Sequence, residues 1–371
     1  MMIMLTYISI ALLSMGLLTA LFNILSGPRL AKPPGPLLAQ PRVSLLVPAR
    51  NEENNIDDLL EGLSGQNYPN LEILVLDDHS SDATAEKVLG KMAGDSRIRL
   101  LQGQPMPQGW TGKNWACRQL ADQATGEYLI FTDADNRHAP QAVSHTLAWM
   151  QRYGLGMLSA FPRQITKSLS ESLVIPVVDL FVYATLPLWL TFRLKSPLFA
   201  AANGQWIAFT RQAYRTIGGH TSVKGEVVED VALSRRIKQH RIPMLLTAGT
   251  GAISCRMYHN AGEVWGGFSK NLYGIAGYRL APFLAILAGH FIAYIWPFIA
   301  IFFPELREPA ALAIAMNLFL RLSVALRYRH PVGIAVGLHP LGVALLLAIG
   351  INSIRLVKKG FVRWKGREIP V

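Results

Sequence analysis

The sequence predicts an α/β fold, a Rossmann-like mixed sheet with N-terminal and C-terminal transmembrane helices around it. Three observations predict it. Apolar runs typical of buried strands alternate with helical patterns from residue 42 onward. An uncharged apolar run of membrane-spanning length occupies residues 3–25. Three more apolar stretches lie near the C-terminus, at 281–303, 309–326 and 332–354.

Strands and helices alternate regularly in the first half of the globular region. Strands are predicted at 43–47, 71–76, 98–101 and 128–132, and helices at 51–66, 81–93 and 113–125. This order predicts a mostly parallel sheet with helices on both faces, in which ligands bind at the carboxyl ends of the strands. Asp77, Asp78, Asp133 and Asp135 fall at those ends. The acidic pairs therefore mark the predicted site.

Composition and charge point to a membrane rather than to nucleic acid. Hydrophobic residues make up 51% of the 371 and charged residues only 16%, which is too apolar for an ordinary soluble protein. The formal net charge is +12. Basic residues crowd the end of the chain, at Arg355, Lys358, Lys359, Arg363, Lys365 and Arg367. Such juxtamembrane clusters favour anionic lipids, so membrane lipids are predicted partners and nucleic acid is not.

The composition changes along the chain predict five parts. They are an uncleaved N-terminal anchor (1–26), a proline-rich linker (27–41), a globular domain (42–279), C-terminal membrane segments (280–354) and a basic tail (355–371). Within the domain, 172–191 is apolar but contains Pro176, Asp179 and Pro187, which favours interfacial helices over a span. With only two cysteines, the domain is expected in a reducing compartment.

The basic residues predict the topology only in part. The linker and the tail are both positive, which places both on the cytoplasmic side. One of the three C-terminal stretches is then expected not to cross. Arg321 makes 309–326 the least convincing span, and 281–303 is the alternative as a re-entrant segment. The predicted location is the cell inner membrane, multi-pass, with a cytoplasmic catalytic domain.

Asp133-Ala-Asp135 is a candidate metal site. Two carboxylates just past a strand can hold Mg²⁺ or Mn²⁺ together with a substrate diphosphate. Such a cation neutralises the charge that grows on the leaving group. A solvated turn explains the same residues without function, since aspartate is common after strands.

Two further segments carry candidate chemistry. Gly112 and Lys113 precede a helix, where backbone and ammonium can clamp a diphosphate, although an ordinary surface loop has the same composition. Glu229-Asp230 opens a second helix, where acids are also common for dipole reasons alone. The functional interpretation makes Asp230 the general base for an acceptor hydroxyl.

Taken together, these motifs resemble the family 2 glycosyltransferases. The resemblance runs through Val47-Pro-Ala-Arg-Asn-Glu52, Leu76-Asp-Asp-His-Ser80, Gly112-Lys113, Thr132-Asp-Ala-Asp135 and Val228-Glu-Asp230, and so covers nearly the whole globular domain. It implies a GT-A fold and the following roles: donor nucleotide at Pro48, Ala49, Glu52 and Asp77, diphosphate at Lys113 and Asp133, metal at Asp135 with Asp133, base at Asp230, and acceptor region at Asn203, Gly204, Gln205 and Glu229.

Within the family, the sequence is similar to carotenoid or hopanoid glycosyltransferases. The similarity lies in the G-W-T-G-K loop, the W-G-G-F-S-K-N segment and the closing W-K-G-R. Trp265 and Lys270 are candidates for closing over the donor, although a tryptophan near a membrane is as often an anchor. Polymer-making members carry Q-x-x-R-W after the base, and here Glu263-Val-Trp265 and Lys270 stand in that region. Single addition is therefore favoured over polysaccharide synthesis.

The sequence thus predicts a membrane-bound inverting glycosyltransferase. It would transfer one sugar, a hexose, from a nucleotide-diphosphate sugar, with UDP-sugar favoured, to a carotenoid, hopanoid or other polyisoprenoid lipid. Three alternatives stay open: a non-catalytic lipid- or sugar-binding protein on the same scaffold, a polysaccharide synthase, and a nucleotidyltransferase. The last would need a glycine-rich triphosphate loop near the first strand, and Pro48-Ala-Arg-Asn-Glu52 is not one.

Overall fold

A computed structural model describes residues 1–359, 361–364 and 367–370. Lys365 and Gly366 of the predicted tail lie outside the described residues. The helices are α1 (Met2–Ser26), α2 (Ile56–Ser64), α3 (Thr84–Met92), α4 (Gly112–Gln123), α5 (Ala142–Tyr153), α6 (Leu169–Thr185), α7 (Leu190–Arg193), α8 (Arg211–Thr216), α9 (Glu229–Gln239), α10 (Ala261–Ile275), α11 (Leu280–Tyr294), α12 (Trp296–Ala300), α13 (Arg307–Tyr328), α14 (Val332–Gly337) and α15 (His339–Lys358). The strands are β1 (Val43–Ala49), β2 (Leu71–Asp77), β3 (Ile98–Gln102), β4 (Tyr128–Thr132), β5 (Asn136–His138), β6 (Met157–Phe161), β7 (Arg163–Gln164), β8 (Trp206–Thr210), β9 (Met244–Ala248), β10 (Ile253–Cys255), β11 (Phe361–Trp364) and β12 (Arg367–Pro370).

The chain divides into two compact units. The sheet unit comprises 28–163 and 188–256, and the helical unit comprises 1–27, 164–187 and 257–371. The predicted globular domain, 42–279, differs from this division because α6 and α10 group with the helical unit. Both helices are rich in apolar residues and lie between polar segments, so their sequence alone does not say which unit they join.

The sheet unit is built on seven strands in the order β3-β2-β1-β4-β8-β6-β9. β1 pairs in parallel with both β2 and β4, while β8 is antiparallel to β4 and β6. The predicted mixed sheet with a mostly parallel half is confirmed. Ala49 lies opposite Asp77 in the β1–β2 register, so the two strands end together.

Residue alternation along the strands produces a core on each face of the sheet. Leu45 of β1 packs with Leu59 of α2 on one face, and Leu46 packs with Leu120 of α4 on the other. All four side chains are fully buried. Because both faces are covered, β1 and β2 read as continuous apolar runs rather than as alternating ones. This is why β1 and β2 were predictable from the sequence.

In the helical unit, three helices are long and apolar enough to cross a membrane. They are α1, the segment Pro304–Tyr328 that contains α13, and α15; α10 and α11 would add a fourth span as a pair bent by 117°. These counts refer to the part of the chain that the structure describes. The predicted stretch 281–303 is broken between α11 and α12, where Pro297 near the start of α12 has no N–H to continue the preceding helix.

The stretch 309–326, predicted to be the least convincing span because of Arg321, lies inside α13, a helix of 22 residues within a segment that is long and apolar enough to cross a membrane. Arg321 is only 1% exposed, and its guanidinium donates to the carbonyls of Ala335 at 2.9 Å and Pro176 at 2.7 Å. A buried guanidinium is tolerated when its N–H groups are satisfied in this way. The partners lie on other segments of the helical unit, so the sequence of α13 does not reveal them.

The predicted pair of helices at 172–191 consists of one long helix and one short one. α6 has 17 residues, begins with a capping box between Ser168 and Glu171, and contains Pro176. Most of its side chains are buried. α7 has four residues and belongs to the sheet unit.

Candidate active site

The candidate site lies at the carboxyl ends of β1, β2 and β4. Ala49, Asp77 and Thr132 end these strands, and β1 lies between the other two. Parallel neighbours end at the same edge of the sheet, so their following loops are close in space. The predicted clustering of the acidic pairs at this edge is therefore a consequence of strand order.

Hydrogen bonds join the loop after β1 to the loop after β2. Asn51 N–H donates to Ser80 Oγ at 2.9 Å, and Glu52 N–H donates to Thr84 Oγ1 at 2.8 Å. Asn51 and His79 have φ of 51° and 56°, the left-handed region that non-glycine residues seldom adopt. Backbone strain of this kind persists where the surrounding bonds over-determine it, which is common at ligand sites.

Asp77 is the last residue of β2, where the second of these loops begins. It is 4% exposed, and both of its carboxylate oxygens accept from the Ser80 N–H at 3.3 Å. Pro48 lies opposite Leu76 in the β1–β2 register. Pro48, Ala49, Glu52 and Asp77 thus lie within or just after two adjacent strands.

Lys113 connects two of the predicted motifs. Its Nζ lies 2.7 Å from Asp133 Oδ1 and 3.0 Å from Glu229 Oε1. Burial alone would lower the pKa of this lysine, but the Asp133 and Glu229 carboxylates outweigh it and hold the pKa well above its usual value. Lys113 is therefore charged at neutral pH and lies at the start of α4, between the candidate metal ligands and the candidate base.

The charge of the Lys113 ammonium compensates the Asp135 carboxylate only in part. Burial raises its pKa to about 7, and the neighbouring carboxylates of Asp133 and Glu52 contribute to the rise. Its Oδ1 is buried and has no hydrogen-bond partner among the residues that the structure describes. Within the same residues, no group of three or more His, Cys, Asp or Glu side chains is placed to hold a metal ion. A cation here would rely on one or two carboxylates plus ligands from a substrate, as Mg²⁺ commonly does.

Asp230 is the second residue of α9 and is held at both oxygens. Gly204 N–H donates to Oδ2 and Val231 N–H donates to Oδ1, each at 2.8 Å. Burial, and then the charge of Glu229, raise the pKa of Asp230 to about 7, against the Lys113 ammonium and the two N–H bonds, which lower it. A carboxylate with a pKa near neutrality is suited to general-base work.

A single cavity joins these groups. Its lining includes Pro48, Lys113, Asp133, Gly204, Glu229 and Asp230. One residue predicted for each role therefore borders this space: Pro48 for the nucleotide, Lys113 for the diphosphate, Asp133 for the metal and Asp230 as the base. Its lining does not include Ala49, Glu52, Asp77 or Asp135. Gly204 packs tightly there, because a Cβ at this position would lie 3.2 Å from Glu229 Oε1 and 3.3 Å from Lys113 Nζ.

The predicted acceptor segment is a fixed turn. Asn203 N–H donates to Ser159 Oγ at 2.8 Å, and Gln205 N–H donates to Asn203 Oδ1 at 2.9 Å. The Gln205 side chain is 5% exposed and donates to Cys255 Sγ at 2.7 Å. The Gln205 side chain therefore fixes the turn from the buried side, while Asn203 and Gly204 are half-buried.

Two neighbours of the site were missed by sequence analysis. The Cys255 thiol lies beside the Asp135 carboxylate, and burial raises its pKa well above the usual value. Asn114 is completely buried beside the segment that leads to α9. Neither residue belongs to a motif with a fixed spacing, so no signal in the sequence marks them. Trp265 and Lys270 lie in α10 of the helical unit, and their part in donor binding stays a prediction.

A mixed, mostly parallel sheet with acidic residues at its carboxyl edge is the arrangement of the GT-A fold. Residues 44–174 match the family described as Glycosyl transferase family 2. This stretch of the chain, from β1 into α6, therefore carries a family 2 glycosyltransferase domain.

Relatives of known name agree with this assignment. A 4,4'-diaponeurosporenoate glycosyltransferase of Staphylococcus haemolyticus is 29% identical over 225 residues, covering 58% of this chain and 56% of its own length. That of Staphylococcus aureus strain USA300 is 25% identical over 345 residues, covering 89% of this chain and 88% of its own length. This chain thus spans about half of the first relative and most of the second.

The fold also matches a solved structure. It is the mannosyltransferase PcManGT from Pyrobaculum calidifontis in complex with GDP-Man and Mn²⁺, with a TM-score of 0.58 and 20% sequence identity. The match covers 94% of this chain and 99% of that chain. The GT-A fold predicted from the sequence is confirmed.

Proposed function

We propose that this enzyme transfers a single hexose from a nucleotide-diphosphate sugar to the hydroxyl group of a membrane lipid, with inversion at the anomeric carbon. The observation that carries the proposal is the cavity in which Lys113, Asp133 and Asp230 meet. Asp230 takes the proton of the acceptor hydroxyl as its oxygen attacks the anomeric carbon. Lys113 stabilises the charge on the departing nucleoside diphosphate, and such preorganised groups are each worth roughly 3 kcal/mol of barrier.

The residues around Asp135 fit a divalent cation. A buried oxygen that lacks a partner in the described part of the chain, on a carboxylate whose pKa is about 7, is a position that gains from a positive charge. Asp133 and Asp135 would hold Mg²⁺ or Mn²⁺ together with the donor diphosphate. When bound, the ion neutralises the negative charge of the leaving diphosphate.

On the donor side, Pro48, Ala49, Glu52 and Asp77 are proposed to bind the nucleotide of a UDP-sugar. The buried carboxylate of Asp77 is suited to accept a hydrogen bond from a nucleobase N–H or a ribose hydroxyl. The loops that carry these residues are already fixed by mutual hydrogen bonds, so little ordering is needed when the donor binds.

On the acceptor side, the lipid is proposed to be a carotenoid or another polyisoprenoid, in line with the acceptor named for both relatives. Asn203, Gly204, Gln205 and Glu229 border the acceptor, and Trp265 and Lys270 are proposed to close over the donor. The name of the relatives' acceptor denotes a carboxylate. A carboxylate would need no base, so a lipid acid is the second candidate acceptor.

The full chain in lipid nanodiscs tests this function directly. We expect a panel of UDP- and GDP-hexoses to yield a lipid product heavier by one hexose, with a hydroxylated polyisoprenoid as the best acceptor. A carboxylated polyisoprenoid and a water-soluble alcohol serve as competing acceptors in the same assay. A long polysaccharide product, or equal turnover of the water-soluble acceptor, would contradict the proposal.

The packing of the helical unit supports a topology with three crossings. α1 and α13 run parallel, because Met2 packs near Leu306 while Gly16 lies next to Leu320. Trp296 Nε1–H donates to Thr6 Oγ1 at 3.0 Å, so the end of α11–α12 lies at the same side as the start of α1. α1, α11–α12 and α13 then cross the membrane in turn.

α15 runs antiparallel to α11 and begins beside its last residue, Tyr294, which lies partway along α11–α12. The His339 ring lies 5.7 Å from the Tyr294 ring, whereas Ile354 packs with Phe283 near the start of α11. α13 ends at Tyr328 on the side where α1 ends, so 332–358 enters and leaves on that side as a re-entrant pair. Composition alone makes α15 a candidate span.

This topology collects the basic residues on one side. Arg327 and Arg329 at the end of α13, and Arg355 and Lys358 at the end of α15, lie on the side where α1 ends and the basic linker begins in sequence. The positive-inside rule makes this side cytoplasmic. We propose a multi-pass protein of the inner membrane with its sheet unit in the cytoplasm.

Single cysteines test this arrangement, because both native cysteines are buried. We expect Glu305→Cys to react with a membrane-impermeant maleimide in intact spheroplasts. Arg329→Cys and Lys359→Cys should react only after permeabilisation. Labelling of Arg329→Cys and Lys359→Cys from opposite sides would show that 332–358 crosses the membrane.

A further inference from the structure

Asn114 is tied to the segment that leads to the proposed base. It is the third residue of α4 and is 0% exposed. Its Nδ2 lies 2.8 Å from the Val223 carbonyl oxygen, 3.2 Å from that of Lys224 and 2.9 Å from that of Glu226. One side-chain amide thus lies within hydrogen-bond distance of three carbonyl oxygens of a single loop. That loop continues directly into α9.

The start of α4 and the loop before α9 are also joined by a backbone hydrogen bond and by an ion pair. Thr111 N–H donates to the Lys224 carbonyl at 2.9 Å, and Lys113, the neighbour of Asn114, lies 3.0 Å from Glu229. The start of α4 therefore holds 223–229 at both ends, by the amide of Asn114 and by the ammonium of Lys113. Asp230 follows the held segment immediately.

We propose that Asn114 is a positioning residue that sets where Asp230 lies relative to Lys113. The inference rests on the proposed function, in which Lys113 contacts the donor diphosphate and Asp230 contacts the acceptor. Both N–H groups of the amide are directed at carbonyls, and its Oδ1 has no partner in the part of the chain that the structure describes. The residue therefore acts here as a donor only, and its effect on catalysis is transmitted through the backbone of 223–229.

The chemistry of the junction explains why an amide is needed. Three carbonyl oxygens that converge on one buried point repel one another unless an N–H donor lies between them. Aspartate has the same shape as asparagine but offers oxygens in place of the NH₂ group, so it would add to the repulsion. Leucine has a similar volume and would leave the three carbonyls without that donor. In both variants the loop is expected to move away from α4 and carry Asp230 with it.

The test compares Asn114→Leu and Asn114→Asp with wild type in nanodiscs. We expect kcat for transfer to fall about 10- to 100-fold in Asn114→Leu and further in Asn114→Asp, because small displacements of a catalytic group cost rates of this size. Donor Kd, measured by titration, should change less than threefold, since Lys113 keeps its place on a helix capped by Thr111. Melting temperature is recorded for each variant, and kcat is referred to the folded fraction.

Gln119→Ala is the matched control. Gln119 lies on the same helix, and its amide oxygen accepts from the Gln104 N–H at 2.7 Å, so it also joins α4 to a loop, but not to the one that leads to Asp230. We expect Gln119→Ala to leave kcat within threefold of wild type. Asn114→Ser, which keeps one donor, should recover part of the loss.

The outcomes separate this inference from the proposed function. If wild type transfers sugar and both Asn114 variants keep normal kcat per folded molecule, the positioning role is wrong. Equal losses in donor affinity and kcat would also overturn it, because they would place the effect at the diphosphate clamp. If wild type itself transfers no sugar to any lipid, the proposed function fails instead.

Discussion

Asp230→Asn is expected to lower transfer to a hydroxylated lipid by about 10²- to 10⁴-fold, the usual cost of losing a general base. The amide keeps the shape of the side chain but cannot take the acceptor proton. The carboxylate accepts hydrogen bonds from the N–H groups of Gly204 and Val231. An amide has one oxygen and can accept from only one of them. Donor Kd should stay close to wild type. Transfer is measured with labelled donor, and Kd by titration.

The pH profile offers a second readout of the same group. Asp230 acts only when ionised, and burial raises its pKa to about 7. The rate of wild type should therefore rise with pH and level off above about 7, falling roughly tenfold per pH unit below it. In Asp230→Asn the residual rate should lose this dependence.

Asp122→Asn is the control for Asp230→Asn, because Asp122 is a half-exposed carboxylate on α4 that pairs with Arg118. It should leave both transfer and the pH profile unchanged. An equal loss of donor affinity and turnover in Asp230→Asn would show that Asp230 is a donor ligand. Full activity of Asp230→Asn on a carboxylated lipid would favour the lipid acid as the acceptor.

Asp135→Asn is expected to abolish measurable binding of Mn²⁺ and to lower transfer by at least about 100-fold, since metal-assisted charge stabilisation contributes several kcal/mol. The carboxylate of Asp135 is buried, with a pKa raised to about 7. Protons therefore compete with the cation below that pH, and Mn²⁺ affinity should weaken as the pH falls from 8 to 6. Calorimetry of the donor-bound enzyme measures the affinity, and chelation should stop transfer by wild type.

As the pH falls from 8, Mn²⁺ affinity should weaken, whereas the stability of the metal-free protein should gain from the protonation of Asp135. A folded pKa raised above the unfolded value means that ionised Asp135 destabilises the fold at pH 8, and that this cost fades as the pH falls toward 4. Asp135→Asn should thus melt at a higher temperature than wild type at pH 8, with a smaller difference at pH 5. Melting of both proteins in chelator measures this.

Asp95→Asn is the control for the stability prediction, because the pKa of Asp95 is lowered where that of Asp135 is raised. The hydrogen bond from Arg97 is the main reason why the pKa of Asp95 is lowered to about 2, so its ionised form stabilises the fold at neutral pH. Asp95→Asn should lower the melting temperature at pH 8 and leave Mn²⁺ binding intact. Full transfer by chelator-treated wild type would refute the metal assignment.

The sequence by itself determined the sheet and the positions of its acidic pairs. Strands buried on both faces are continuous apolar runs, and in a parallel sheet the residues that follow them gather at one edge. Asp77, Asp133 and Asp135 could therefore be placed together from local pattern and strand order alone. The role predicted for Asp230 rests on the resemblance to family 2 glycosyltransferases, because acidic residues at a helix start are common for dipole reasons alone.

Only the tertiary structure decided which groups meet across the site and inside the helical unit. Lys113 pairs with Glu229, Asn114 donates to carbonyls of the 223–226 loop, those of residues 223, 224 and 226, and Arg321 donates to the carbonyls of Pro176 and Ala335. Each of these contacts joins segments that are distant in sequence. Every residue has a backbone carbonyl. The residue type of the acceptor therefore does not indicate that a side chain will donate a hydrogen bond to it. The partners of such side chains are fixed by packing, and packing is a property of the folded chain.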